Sequence, residues 1–154
     1  MITYISKEQY EKLKQELEYL KTVERRKIAE RLKNAFELGD ITENAEYDIA
    51  MAEKEKLERK IAEIENVLRT AKIIRNVKRS DRILPGSKFE VIEKGSNKKY
   101  TFTLVGFGES NPLEGKISTE SPLGQAFLNK KIGQEVLVKT PKGNTIYVIK
   151  KIYA

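Results

Sequence analysis

The 154-residue chain contains neither cysteine nor histidine. This excludes disulfide frameworks, thiolate nucleophiles, Cys/His zinc sites and every triad that needs an imidazole. Carboxylates, lysines, tyrosines and hydroxyls are left for chemistry, which argues against a self-sufficient enzyme. Long apolar runs are also missing, and nothing approaches the ~18 residues of a membrane span. There is no internal repeat and no low-complexity tract. The opening Met1-Ile2-Thr3-Tyr4-Ile5-Ser6 has neither the basic head nor the apolar core of a secretion signal. A soluble, cytoplasmic protein without membrane association is expected.

Charge is plentiful but mixed. The formal net charge is +7, with 30 basic and 23 acidic side chains. Residues 1–80 carry 18 basic and 16 acidic side chains, a balance of +2, and residues 81–154 carry 12 and 7, a balance of +5. Such an excess permits contact with DNA or RNA. It is spread evenly enough that a well-solvated surface explains it equally.

The first half has a helical period. Ser6 caps a helix start, Gln9 is placed as its capping-box partner, and Ile5 can staple onto Tyr10. Tyr10, Leu13, Leu17 and Leu20 alternate steps of three and four, the seam of a coiled coil. Ile28, Leu32 and Phe36 then follow at steps of four, a stutter that unwinds a supercoil locally. A second seam runs Tyr47, Ala50, Lys54, Leu57, Ile61, Ile64, Leu68 and Ala71, broken only by Lys54, and predicts a helix to about Ile74. Between the seams, Gly39 suits a helix C-terminus and Asp40-Ile41-Thr42-Glu43 has capping-box spacing. So short a turn implies an antiparallel hairpin, with Leu20 near Ile61 and Leu17 near Ile64. Arms of about 32 residues span roughly 48 Å. From Asn34 to Glu53 there are six acidic residues and no basic one, so the bend is a negative end on a long rod. A solvated turn with helix-start carboxylates accounts for the same pattern.

The second half has a period of two. Residues 77–84 read as a linker between a hairpin over 1–76 and a small domain over 85–154. Strands are expected over 88–92, 100–105 and 115–118, and a hairpin over 136–149 turns at Pro141-Lys142-Gly143-Asn144. Ser121-Pro122 opens a short capped helix. Gly106-Phe107-Gly108 reads as a strand-end turn rather than a phosphate loop, because no helix and no GK[ST] follow it. The fold class is α+β.

Gly39-Asp40-Ile41-Thr42-Glu43-Asn44-Ala45-Glu46-Tyr47 resembles the tip signature of the GreA-type bacterial transcript-cleavage (transcription elongation) factors. Ser121-Pro122-Leu123-Gly124 and Val138-Lys139-Thr140-Pro141-Lys142-Gly143 resemble that family's C-terminal domain. The resemblance covers essentially the whole chain. It implies a coiled-coil hairpin and an FKBP-like domain that docks near the mouth of the RNA polymerase secondary channel. It implies an accessory factor rather than an enzyme, with no cofactor of its own and expected as a monomer. Its tip would reach the polymerase active centre, help hold a second Mg²⁺ and the attacking water, and stimulate cleavage of the nascent RNA 3′ end. The two catalytic carboxylates fall on Asp40 and Glu43, with Asn44 and Tyr47 supporting them. Mg²⁺ takes oxygen ligands, and two carboxylates three residues apart on a helix start have Cβ atoms roughly 5–6 Å apart. They are too few to hold the ion alone, so the polymerase must complete its shell.

The chain departs from the family beside the tip. Phe36 and Met51 stand where basic residues often grip the RNA 3′ end, and Lys33 and Lys54 are the nearest basic candidates for RNA contact. Two functions follow: a cleavage-stimulating factor, or a regulator of the same shape that occupies the channel without supporting cleavage. The paired acids favour the first. A peptide-binding β module leaves the long helices unexplained.

Overall fold

The computed structural model describes residues 1–37, 44–75 and 81–153. Its contacts divide the chain into two compact units, residues 10–70 and residues 1–9 with 71–154.

The helical unit contains most of α1 (Lys7–Tyr19), a π-helical turn (Leu20–Glu24), α2 (Arg25–Glu37) and α3 (Ala45–Thr70). Its buried side chains on the first arm are Leu13, Leu20, Ile28 and Ala35, at steps of seven, eight and seven. The extra residue falls where the helix widens: the Arg25 N–H reaches back five residues to the Leu20 carbonyl. A π turn takes one residue more than an α turn, so the stutter is absorbed as a single insertion. This rotates the face beyond it. Ala35 takes the inward place at 3 % exposure, and Phe36, expected in the seam, is 59 % exposed. On α3 the buried set is Ala50, Leu57, Ile61, Ile64 and Val67. Val67 therefore replaces Leu68, and Lys54 is exposed.

Ion pairs flank these side chains. Glu16–Lys60 (3.1 Å), Arg25–Glu58 (2.8 Å) and Arg31–Glu53 join the two arms. One residue number rises along the series as the other falls, so the paired segments run in opposite directions. Arg25 grips Glu58 through both Nε (2.9 Å) and Nη2 (2.8 Å). That hydrogen bonding is the largest cause that raises the Arg25 pKa and lowers that of Glu58.

Helix α3 stops at Thr70, earlier than the expected Ile74. The Thr70 hydroxyl donates back to the Asn66 carbonyl at 2.9 Å. Ala71–Ile73 (β2) then pairs in parallel with Thr3–Ile5 (β1), Thr3 facing Ala71 and Ile5 facing Ile73. Strand pairing satisfies the backbone groups that a continued helix would have paired internally. The Ile74 N–H donates to the Ile5 carbonyl (2.9 Å), and the Phe107 N–H to the Tyr4 carbonyl (2.8 Å). Gly106 permits this approach, since a Cβ there would lie 2.8 Å from both Ile5 Cα and Tyr4 O. The first nine residues thus group with the β-rich unit, although their sequence reads as the start of the hairpin. Residues 81–84 likewise do not act as a linker. Ile83 is fully buried in the β core, its N–H bonded to the Lys130 carbonyl (2.8 Å) and its carbonyl to the Asn129 N–H (2.7 Å). The remainder of the expected linker, 77–80, lies outside the described residues.

The β-rich unit is a five-stranded sheet of β3 (Lys88–Glu93), β4 (Lys99–Val105), β5 (Lys116–Ser118), β6 (Glu135–Thr140) and β7 (Gly143–Ile152), in the order β5-β4-β3-β7-β6. Among the described residues of this sheet, β4 and β5 pair in parallel and the other neighbours are antiparallel. Alternation sorts its faces: Val136 and Val138 are buried while Leu137 between them is 51 % exposed. The helix α4 (Pro122–Phe127) closes the inner face. Ser121 caps it by accepting from the Gly124 N–H at 3.0 Å. Phe127 packs at 5.1 Å from the Phe89 ring, with Phe102 and Tyr147 around it. The hairpin joining β6 to β7 turns where expected, with Thr140 opposite Gly143.

Candidate functional site

The acidic bend singled out by the sequence lies between α2 and α3. Asp40 and Glu43, its two candidate catalytic carboxylates, and Gly39 beside them fall outside the described residues. The ends of the segment that carries them are defined.

Asn44 sits immediately before α3 and uses both halves of its amide. Its Oδ1 accepts from the Tyr47 N–H at 3.1 Å, and its backbone carbonyl accepts from Asp48 N at 3.2 Å. This is an N-cap in form and partner. Its Nδ2 donates to the Ala35 carbonyl in the last turn of α2, at 2.5 Å. Carbonyls at a helix C-terminus have no intrahelical donor, so one side chain serves the end of one helix and the start of the next. The bond links Asn44 to Ala35, and Asp40 and Glu43 lie between them in the sequence. The Asp40-Ile41-Thr42-Glu43 spacing predicts a cap on Asp40 with Glu43 as its partner, whereas the cap of α3 is Asn44. Its signal was present in the chain, since Glu46 and Asp48 occupy the first turn of α3, where carboxylates favour the helix dipole.

Tyr47, the other supporting residue, is half-buried one turn into α3. Glu37, Glu46 and Asp48 are exposed. Glu53 is engaged by Arg31. A cleft of about 250 Å³ elsewhere, in the β-rich unit, is lined by Ser6, Ile74, Arg75 and Glu109 and holds none of the expected site residues.

The two lysines proposed for RNA contact are placed differently. Lys33 is exposed on α2. Lys54 borders a cleft with Ile28, Leu32, Leu57 and the Arg25–Glu58 pair, and its charge helps lower the Glu58 pKa after the larger effects of Arg25. Lys54 therefore has an electrostatic partner within the helical unit. Met51 is half-buried.

Among the described residues no three carboxylates converge on a point where a cation could sit. Among the described residues, no helix is long and apolar enough to cross a membrane.

The chain is similar to known proteins along its length. The family described as "Transcription elongation factor, N-terminal" matches residues 3–73, and that described as "Transcription elongation factor, GreA/GreB, C-term" matches residues 78–154. The transcription elongation factor GreA of Geobacillus kaustophilus is 43 % identical over 94 % of this chain and 92 % of its own. That of Bacillus subtilis is 42 % identical over 92 % of this chain and 90 % of its own. Among solved structures, the GreA factor homolog 1 (Gfh1) protein of Thermus thermophilus is 28 % identical over the full length of both chains, with a TM-score of 0.45. On its sequence, the chain belongs to the GreA/GreB family of transcription elongation factors.

Proposed function

We propose that this transcription elongation factor rescues backtracked, arrested bacterial RNA polymerase by supplying two carboxylates to the polymerase's own active centre. The observation that carries the reading is the Asn44 amide, which joins the end of α2 to the start of α3 across the segment containing Asp40 and Glu43. The bond ties together the two helix ends between which the acids lie in the sequence. Helix segments paired in opposite directions by Arg25–Glu58 and Arg31–Glu53 support a coiled-coil arm narrow enough for a channel. The β-rich unit, read as FKBP-like, is the docking module at the channel mouth, and residues 81–154 carry the larger positive excess of the chain. The work is done in the cytoplasm, where the polymerase is, by a monomer without membrane contact.

The donor chemistry fits Mg²⁺, a hard cation that prefers carboxylate, phosphate and water oxygens. Bound in the polymerase, it supplies Lewis-acid stabilisation of the attacking and leaving oxygens in phosphodiester hydrolysis. Asp40 and Glu43 each contribute a negative oxygen and an acceptor for a water proton. Asn44 fixes where their loop leaves and re-enters the helices. Tyr47, half-buried, steadies the first turn of α3. Lys33 and Lys54 are the basic groups nearest the nascent RNA 3′ end.

The test pairs stability with chemistry. Asp40→Asn and Glu43→Gln keep shape and hydrogen-bonding capacity but remove charge. Each variant is expected to melt within roughly 0.5 kcal/mol of the parent, as for surface substitutions that keep local bonds. Each should still compete for polymerase and lose most RNA cleavage on stalled complexes, with partial rescue by raised Mg²⁺. Normal cleavage by the double variant sinks the proposal. Binding without cleavage by the parent protein would identify a channel-occupying regulator instead.

A further inference from the structure

Two stripes on α2 compete for the inward place. Steps of four join Ile28, Leu32 and Phe36, and a step of seven joins Ile28 to Ala35. The first stripe is larger and more apolar, and burying it would remove more surface from water. The structure takes the second. Ala35 is 3 % exposed, Leu32 is half-buried and Phe36 is 59 % exposed. The π turn at Leu20–Glu24 permits this rotation by adding a residue. What makes the alternative costly lies on α3.

In the seam of α3 the position between Ala50 and Leu57 belongs to Lys54. Ala50 and Leu57 are buried, and Lys54 is exposed. Where an apolar side chain would fill the space there is a cleft of about 180 Å³, bordered by Ile28, Leu32, Leu57 and Lys54. The Lys54 ammonium makes no ion pair of its own among the described residues. Its charge acts on Glu58, which Arg25 already holds by two hydrogen bonds. Turning Leu32 and Phe36 inward would press apolar side chains onto this ammonium and strip it of water, at a cost that a leucine's burial does not offset.

We infer that Lys54 is a positioning residue: its ammonium in the seam holds α2 in the rotation that puts Ala35, not Phe36, inward. This deepens the proposed function and rests on it. Ala35 and Ala50 are the buried side chains nearest the bend on their arms, and side chains so small let two backbones approach. The Ala35 carbonyl is thereby within reach of the Asn44 amide. A phenylalanine turned inward there would push the arms apart and break the bond that ties the helix ends on either side of Asp40 and Glu43. A polar residue at one seam position fixes register at a cost in stability; here that cost is the unfilled cleft.

The experiment uses the full-length protein. The chain has no cysteine, and Lys33 and Ala52 are exposed on the two arms, so spin labels on Lys33→Cys with Ala52→Cys report the spacing of the arms. Melting curves, and cleavage on stalled polymerase across factor concentrations, are measured without labels. Lys54→Leu is expected to fill the cleft and raise the melting temperature of the helical unit by about 4 °C or more. It should also shift or broaden the label distance. Its cleavage rate at saturation should fall about tenfold, while the half-saturating concentration stays within about twofold, the sign of lost aim rather than lost binding. Lys54→Arg and Lys54→Gln should keep the parent's label distance and cleave within roughly threefold of it, because a polar group remains in the seam. If Lys54→Leu keeps the parent's distance and cleavage, or melts lower than the parent, the inference is overturned. Lys54→Gln failing as badly as Lys54→Leu at the parent's label distance would assign the charge to a contact with a partner and overturn it too. Failure of the parent to shorten RNA would bring down the proposed function, while the melting and distance readouts would still decide the role of Lys54.

Discussion

Ile5, Ile83, Phe89, Val91, Leu104, Phe127 and Ile149 are all 0 % exposed, and all belong to the β-rich unit. In the helical unit, Leu13, Leu20, Ile28, Leu57, Ile64 and Val67 each keep 6–9 % exposure. A sheet closed by a helix surrounds its side chains on every side, whereas two arms side by side cover only a stripe. The arms add Glu16–Lys60, Arg25–Glu58 and Arg31–Glu53 along that stripe, pairs whose exposed side chains make each contribute little. The contrast suits the proposed division of labour. A docking module benefits from a dense core that holds its surface still, and a probe benefits from length and a polar skin.

The largest expected effect tests whether the two units are separately stable. Phe127→Ala removes a fully buried ring in contact with Phe89, Phe102 and Tyr147 and should cost about 3–5 kcal/mol. Leu57→Ala should cost about 2 kcal/mol, the low end for such a truncation, because Leu57 already borders a cleft of about 180 Å³. Hydrogen exchange read segment by segment gives the comparison. Phe127→Ala should release amides of β3–β7 and β1 while those of α2 and α3 stay protected, and Leu57→Ala should do the reverse. Equal loss of protection in both units by either variant would show one cooperative block.

The same contrast explains what was legible in the sequence. Strands β3, β4, β6 and β7, the Ser6 and Ser121 caps and the hairpin at Gly143 follow from local alternation and turn chemistry, and the structure places them where these signals fall. Strands β1 and β2 are three residues each and exist only because Thr3–Ile5 finds Ala71–Ile73 about seventy positions away. No local period marks such a pair. In the arms the stutter was visible, but steps of four carried the seam to Phe36, and only the π turn shows that one inserted residue brings Ala35 inward. The Asp–x–x–Glu pattern places the helix cap on Asp40; Asn44 makes it, its Oδ1 accepting from the Tyr47 N–H while its Nδ2 is left to donate to Ala35. The tip motif itself was legible through resemblance, since composition alone is equally met by a solvated turn.

A smaller effect separates the units by pH. In the helical unit the Glu58 pKa is lowered, chiefly by its hydrogen bonds to Arg25 and then by the charges of Arg25 and Lys54, with desolvation opposing. The folded state then binds fewer protons than the unfolded one in acid. The pair's contribution is complete above the ordinary glutamate value of ~4.3 and is lost as pH falls below it. In the β-rich unit, burial first, then Glu93 and Tyr100, raise the Tyr147 pKa. There the unfolded state ionises first, so stability falls as pH rises past the ordinary tyrosine value of ~10. Glu58→Gln should flatten the acid limb of the helical unit's melting profile and leave the alkaline limb unchanged. Tyr147→Phe should flatten only the alkaline limb of the β-rich unit. Raised salt should shrink the first effect, and a Glu58→Gln profile with the parent's acid limb would show that the pair is inert.

The smallest change in stability asks most about function. Asn44→Asp keeps the acceptor for the Tyr47 N–H and adds a negative charge at the start of α3, where the helix dipole favours it. It loses the donor to the Ala35 carbonyl. Asn44→Ala loses both partners and should destabilise the helical unit by about 1 kcal/mol, the usual cost of a missing cap. Asp caps as well as Asn, so Asn44→Asp should melt within roughly 0.5 kcal/mol of the parent. If the amide's task is only to start α3, that variant should cleave RNA on stalled polymerase at the parent's rate. If closing the loop around Asp40 and Glu43 is what aims the acids, the same variant should fold, compete for polymerase and lose cleavage by about tenfold, since misplacing a catalytic group by ~1 Å costs as much or more. Asn44→Ala cannot separate these cases, because it removes cap and closure together; the aspartate changes one hydrogen bond and leaves the other in place.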